Sequence, residues 1–108
     1  LLLDEPYRAL DSLTKSVMHE SLLETCYRNR ITVFFITHDL EEAIFLGDQV
    51  VIMTSRPCRT KKLLKIDLPH PRNYSIVTSN RFRELMDETM DAVHEEAMAA
   101  FRLGEREG

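Results

Sequence analysis

The sequence predicts an α/β fold, mostly parallel strands with flanking helices and a long C-terminal helix, from three observations. An apolar run, LLL at residues 1–3, stops at Asp4, Glu5 and Pro6, as a buried parallel strand does at its end. A β-branched and aromatic run, ITVFFI at residues 31–36, follows after a helix-length interval and closes on Thr37, His38 and Asp39. From residue 79 onward, apolar residues recur at three- and four-residue steps. Two strands linked by a helix make a βαβ unit whose strand ends share one edge, outside which ligands gather. An acid pair and an imidazole therefore face one crevice.

Taken in order, residues 1–5 form the first strand, and residues 12 to about 30 a helix. Leu13 and Val17, Met18 and Leu22, and Leu23 and Tyr27 are each four apart and set an apolar stripe against charged residues. Asp11 or Ser12 suits the N-cap, and Arg28 and Arg30 suit the negative end of the dipole. Cys26 is expected in the core. After the second strand, Asp39 with Glu42 three positions on is close to a capping box. It opens a short helix that runs to Leu46 and stops at Gly47.

QVVIM at 49–53 is a third strand, SRPCR at 55–59 the turn after it, and 61–68 a fourth, partly exposed strand. Pro69 and Pro71 break regular structure. The last helix places Phe82, Met86, Met90, Val93, Ala97 and Phe101 on one face, expected to dock on its own domain. Residues 104–108 are polar and are expected to fray. The chain thus divides into a core (1–68), a Pro-containing linker (69–78) and an amphipathic helix with its tail (79–108).

At 108 residues the chain holds one domain at most. Its 44% hydrophobic and 30% charged residues fit neither a disordered tail nor a membrane protein. The net charge of −4 argues against a basic nucleic-acid surface. No apolar run approaches the roughly 20 residues needed to cross a bilayer, and no basic n-region marks a signal peptide. A start inside a strand, without Met, is expected of the C-terminal part of a longer protein. Cys26 and Cys58 have no metal or redox spacing and suit a reducing cytoplasm.

An acid pair after three leucines is, by itself, an ordinary solvated strand end. The motifs that follow change that reading. LLLDEP, then Ala9-Leu10-Asp11, a strand ending ITHD, EEA at 41–43 and DQVVIM at 48–53 together resemble the second half of an ABC-transporter ATPase subunit. The 1–5 run resembles the Walker B strand, residues 9–11 the D-loop, and His38 the switch histidine of the H-loop. VVIMTSRPCRT and LPHPR resemble more narrowly the subfamily serving nitrate, sulfonate, taurine and related small-anion importers.

The resemblance implies a partial P-loop NTPase fold, with residues 1–68 as the C-terminal half of the ATPase core. It implies ATP and Mg²⁺ as cofactors, with Asp4 holding the metal through a water, Glu5 polarising the attacking water and His38 reaching the γ-phosphate. Asp11 would bridge to a second ATPase subunit in a homodimer that sandwiches two nucleotides, although an Asp before a helix is often only an N-cap. Membrane permease subunits and a peripheral place on the cytoplasmic face of the inner (plasma) membrane are implied as well; no nucleic acid is. His19, His70 and His94 carry no companion pattern and read as ordinary residues, and Arg56, Arg59, Lys61 and Lys62 as solvated.

Arg8 stands where the family usually has a small residue, and Cys58 where the subfamily commonly has Gly. Nothing here matches the G-x-x-x-x-G-K-[ST] phosphate loop, the signature motif or the glutamine loop, so the chain alone is expected not to hydrolyse ATP appreciably. Two alternatives stand beside the transporter reading. One is an ABC-type ATPase of DNA maintenance, disfavoured by EEA, DQVVI and the absence of heptads. The other is a non-catalytic remnant acting as an interaction module.

Overall fold

The computed structural model describes residues 1–54 and 59–107, with side chains as far as residue 102. The turn expected at 55–59, with Arg56 and Cys58, therefore lies outside the described residues except for Arg59. Strand β1 (Leu2–Asp4) pairs in parallel with β2 (Phe34–Ile36), Leu2 opposite Phe34 and Asp4 opposite Ile36. Helix α1 (Ser12–Asn29) makes the crossover, as the βαβ reading requires. Asp11 is its N-cap, accepting the Thr14 N–H at 2.7 Å, and Arg30 ends it in the left-handed region at φ 52°.

Helix α2 (Leu40–Leu46) starts on Asp39, whose carboxylate accepts the Glu42 N–H at 3.2 Å. The capping box is only half formed, because the Glu42 side chain turns into the interior instead of back to the cap. Gly47 ends α2 at an ordinary φ of −81°. Close approach is what demands glycine here: an added Cβ would stand 2.9 Å from the Ala43 carbonyl oxygen.

The second sheet corrects the expectation of mostly parallel strands. Strand β3 (Gln49–Met53) pairs antiparallel with β4 (Thr60–Lys65), Gln49 opposite Lys65 and Val51 opposite Leu63. The connection at 54–59 is too short for a crossover, which takes about a dozen residues or more, so the pair closes as a hairpin. The described strands thus form one parallel pair and one antiparallel pair in separate sheets. A 3-10 helix (Tyr74–Thr78) then leads into α3 (Asn80–Glu107), which stays helical over the described part, 104–107, of the stretch expected to fray.

The core gathers Ile44 and Phe45 of α2, Val50 and Ile52 of β3, and Leu64, Ile66 and Leu68. Phe82, Leu85 and Ala92 of α3 complete it. The buried phase of α3 therefore runs 82, 85, 89 and 92, whereas Met90, Val93 and Phe101 of the expected stripe are exposed. Thr89 can lie in the core because its hydroxyl donates to the Leu85 carbonyl at 2.7 Å. Lys61 and Lys62, expected to be solvated, instead tie β4 to α3. Lys61 Nζ reaches the Ala92 carbonyl at 3.0 Å and Glu96 at 3.5 Å, and Lys62 meets Glu88 at 2.9 Å.

Of the apolar stripe expected on α1, only Leu22 and Leu23 are half-buried, Leu23 against the core. Leu13, Val17, Met18 and Tyr27 are exposed, Cys26 is only half-buried, and the one buried α1 residue is His19. Leu2 and Phe34 are likewise exposed on the parallel strand pair, where such strands ordinarily lie buried on both faces. No described helix is long and apolar enough to cross a membrane.

Candidate functional site

The parallel register of β1 and β2 brings their carboxyl ends level. Glu5 leaves β1 at φ 45°, a left-handed conformation that a non-glycine residue adopts at a cost of about 1–2 kcal/mol. Its N–H still donates to the Ile36 carbonyl at 2.8 Å, so the turn is anchored to the end of β2. From there Glu5 Oε1 stands 3.6 Å from His38 Nε2, and Oε2 stands 3.6 Å from the Arg8 guanidinium. The His38 side chain is 91% exposed, whereas that of Glu5 is 21% exposed.

A cavity of about 340 Å³ opens over this pair, lined by Glu5, Arg8, Lys15, Thr37, His38, Asp39 and Glu42. Lys15 lies 3.7 Å from Asp39, joining α1 to the cap of α2. Of the site residues expected from sequence, the structure brings Glu5 and His38 together. Asp4 ends β1 opposite Ile36 with its side chain exposed, and Asp11 sits on the α1 cap; both stand outside the cavity lining. The Thr14 N–H holds the Asp11 carboxyl below the ordinary aspartate range.

One exposed carboxylate is a fitting partner for Mg²⁺, which takes one or two carboxylates and completes its shell with phosphate and water. Among the described residues, no group of three or more His, Cys, Asp or Glu converges into an all-protein metal cage. Asp4 thus suits a metal that arrives with a nucleotide.

Sequence reasoning missed the groups beneath the cavity. His19, 2% exposed, places Nε2 2.5 Å from Glu42 Oε2 and Nδ1 2.7 Å from the Tyr74 hydroxyl. Tyr7, two residues after Glu5, packs its ring 5.5 Å from His19 and 6.0 Å from Phe35. Tyr74 stacks on Phe45 at 4.6 Å. Burial raises both tyrosine pKa values, and the nearby Glu42 charge adds to the effect. These residues are 23 and 55 positions apart along the chain, so no local pattern announces them. The one available signal was Glu42, which shares the inward-facing side of α2 with the apolar Phe45 and, unlike Glu41, is buried.

No protein-family model matches the chain. Individual proteins do. A putative ATP-binding protein of Brucella abortus biovar 1 is 43% identical over 94 residues, which is 87% of this chain and 36% of the relative. An uncharacterized ABC transporter ATP-binding protein of Methanocaldococcus jannaschii is 37% identical over 102 residues, 94% of this chain and 37% of the relative. Over most of its length the chain is thus similar to ATP-binding proteins, an ABC transporter ATP-binding protein among them. A third relative is an aliphatic sulfonates import ATP-binding protein of Bacillus cereus, 42% identical over 85 residues, 79% of this chain and 33% of the relative. The chain spans about a third of the length of these curated relatives.

Proposed function

We propose that this chain is part of the ATP-hydrolysing subunit of an ABC importer for small anions such as sulfonates, nitrate or taurine. The observation that carries the reading is the meeting of Glu5 and His38, 3.6 Å apart, at the carboxyl edge of a parallel strand pair. Phosphoryl transfer to water depends mainly on positioning and on electrostatic stabilisation of the transferring group. Glu5 is half-buried, anchored by its backbone to Ile36, and it orients the attacking water and accepts its proton. His38 stands open at the rim of the cavity and reaches the γ-phosphate from there.

Asp4 would hold Mg²⁺, which would supply charge neutralisation for the phosphate groups of the nucleotide. Asp11 spends one carboxylate oxygen on the Thr14 cap and offers the other to a second ATPase subunit. Arg8 pairs with Glu5 at 3.6 Å, so the departure at that position places a cation beside the proposed base. Permease subunits at the cytoplasmic face of the membrane complete the assembly. The sulfonate importer among the relatives supports this branch over DNA maintenance.

A second reading, a non-catalytic interaction module, is favoured by the exposed apolar residues of β1, β2 and α1. Phosphate release by the intact subunit separates the two. His38→Ala is expected to lower turnover about 10²-fold, the loss typical of one positioned transition-state donor. Turnover unchanged in that variant removes His38 from the reaction.

A further inference from the structure

We propose that His19, Glu42 and Tyr74 form a positioning relay that sets where His38 stands over Glu5. The proposal rests on the ATPase reading of the cavity, and it draws on residues that the family motifs leave aside. Glu42 lies in the first turn of α2, its N–H held by Asp39, and His38 immediately precedes that cap. Any shift of Glu42 therefore moves the segment that carries His38. Glu42 is 3% exposed and still contributes to the cavity lining, so the relay reaches the site directly.

The hydrogen bonds fix Glu42 in direction as well as depth. A carboxylate only accepts, so His19 Nε2–H donates to Glu42 Oε2, and in the neutral ring Nδ1 accepts the Tyr74 O–H. Both His19 ring nitrogens, Glu42 Oε2 and the Tyr74 hydroxyl are hydrogen-bonded within the relay, and a buried polar network so paired rigidifies what it joins. Packing alone would be served as well by apolar side chains of similar volume. The same cluster backs the Glu5 side of the crevice, because Tyr7 rests on His19 and Phe35. Tyr74 anchors the relay from beyond the prolines, where it stacks on Phe45. A single buried cluster thus braces both members of the Glu5–His38 pair.

Tyr74→Phe tests the relay, since it keeps the stacked ring and removes only the hydroxyl. In the intact subunit the variant is expected to lower kcat about tenfold with KM for ATP unchanged, as a small misplacement of a catalytic group does. Combined with His38→Ala, it is expected to cause no further loss, because the two substitutions act through one group. Equal losses in both backgrounds would assign Tyr74 a purely structural role and overturn the proposal. A second readout does not need turnover: the His38 imidazole resonances of the ¹⁵N-labelled 108-residue chain are expected to shift in Tyr74→Phe. Unshifted resonances would overturn the relay. An intact subunit without any turnover would instead sink the ATPase reading, while the resonances still decide the relay.

Discussion

Arg72 offers the most quantitative test of how the crevice is held from behind. Its guanidinium is fully buried and donates to the carbonyls of Phe45 at 3.0 Å, Gly47 at 2.7 Å and Leu68 at 3.1 Å. Two of those acceptors lie at the C-terminal end of α2, where helical carbonyls lack partners of their own. Arg72 thus clamps the far end of the helix that begins next to His38. Charged hydrogen bonds of this kind contribute about 1.5–3 kcal/mol each. Against them stand burial, which lowers the guanidinium pKa despite the Asp48 carboxylate nearby, and a buried Nε without a hydrogen-bond partner. The net loss on Arg72→Ala is then about 2–4 kcal/mol. With a urea slope of about 1.5 kcal/mol/M, the midpoint of unfolding followed by circular dichroism should fall by about 2 M. Arg72→Lys keeps the charge but lacks the planar fork, and should recover only part of the loss. A midpoint for Arg72→Ala within about 0.3 M of the unsubstituted chain would refute the clamp.

Acid should loosen the start of α1. The Asp11 carboxyl is held below its ordinary value by the Thr14 N–H. Its contribution is therefore complete above the ordinary aspartate value of about 3.9 and disappears as pH falls through the lower, folded value. Melting temperatures of Asp11→Asn should lack that step, and an identical acid limb in both proteins would count against the cap. Phe45→Ala empties a fully buried position between α2 and Tyr74 and should cost about 3–5 kcal/mol in urea unfolding. A cost under about 1 kcal/mol would mean that the core drawn around Phe45 is wrong.

The crossover was legible because β1, α1 and β2 are marked by local chemistry: an apolar run stopped at Pro6, the Asp11 cap, and a β-branched run closed by His38. The bounds of α2 and β3 were legible for the same reason, set by Asp39, Gly47 and the alternation of QVVIM. The antiparallel hairpin was missed although the short gap between β3 and β4 excludes a crossover. The face of α3 was misjudged because Thr89 hides its hydroxyl on its own helix, while Met90 and Val93 look apolar and stay in solvent. Likewise, the one fully buried side chain of α1 is an imidazole, since Glu42 and Tyr74 arrive from distant segments to satisfy it. Glu5 and His38 could be named from sequence, but not the relay beneath them or the Arg72 clamp. Those depend on side chains that meet only after folding.

The central claim is that Glu5 is the group that activates water. The most direct measurement is ATP binding and phosphate release by the intact subunit with Glu5→Gln, which keeps the side chain's shape and removes its charge. The account predicts that nucleotide affinity is retained while turnover falls by at least about 10²-fold, the lower range for a positioned general base. Turnover close to that of the unsubstituted subunit, with affinity equally intact, would contradict it.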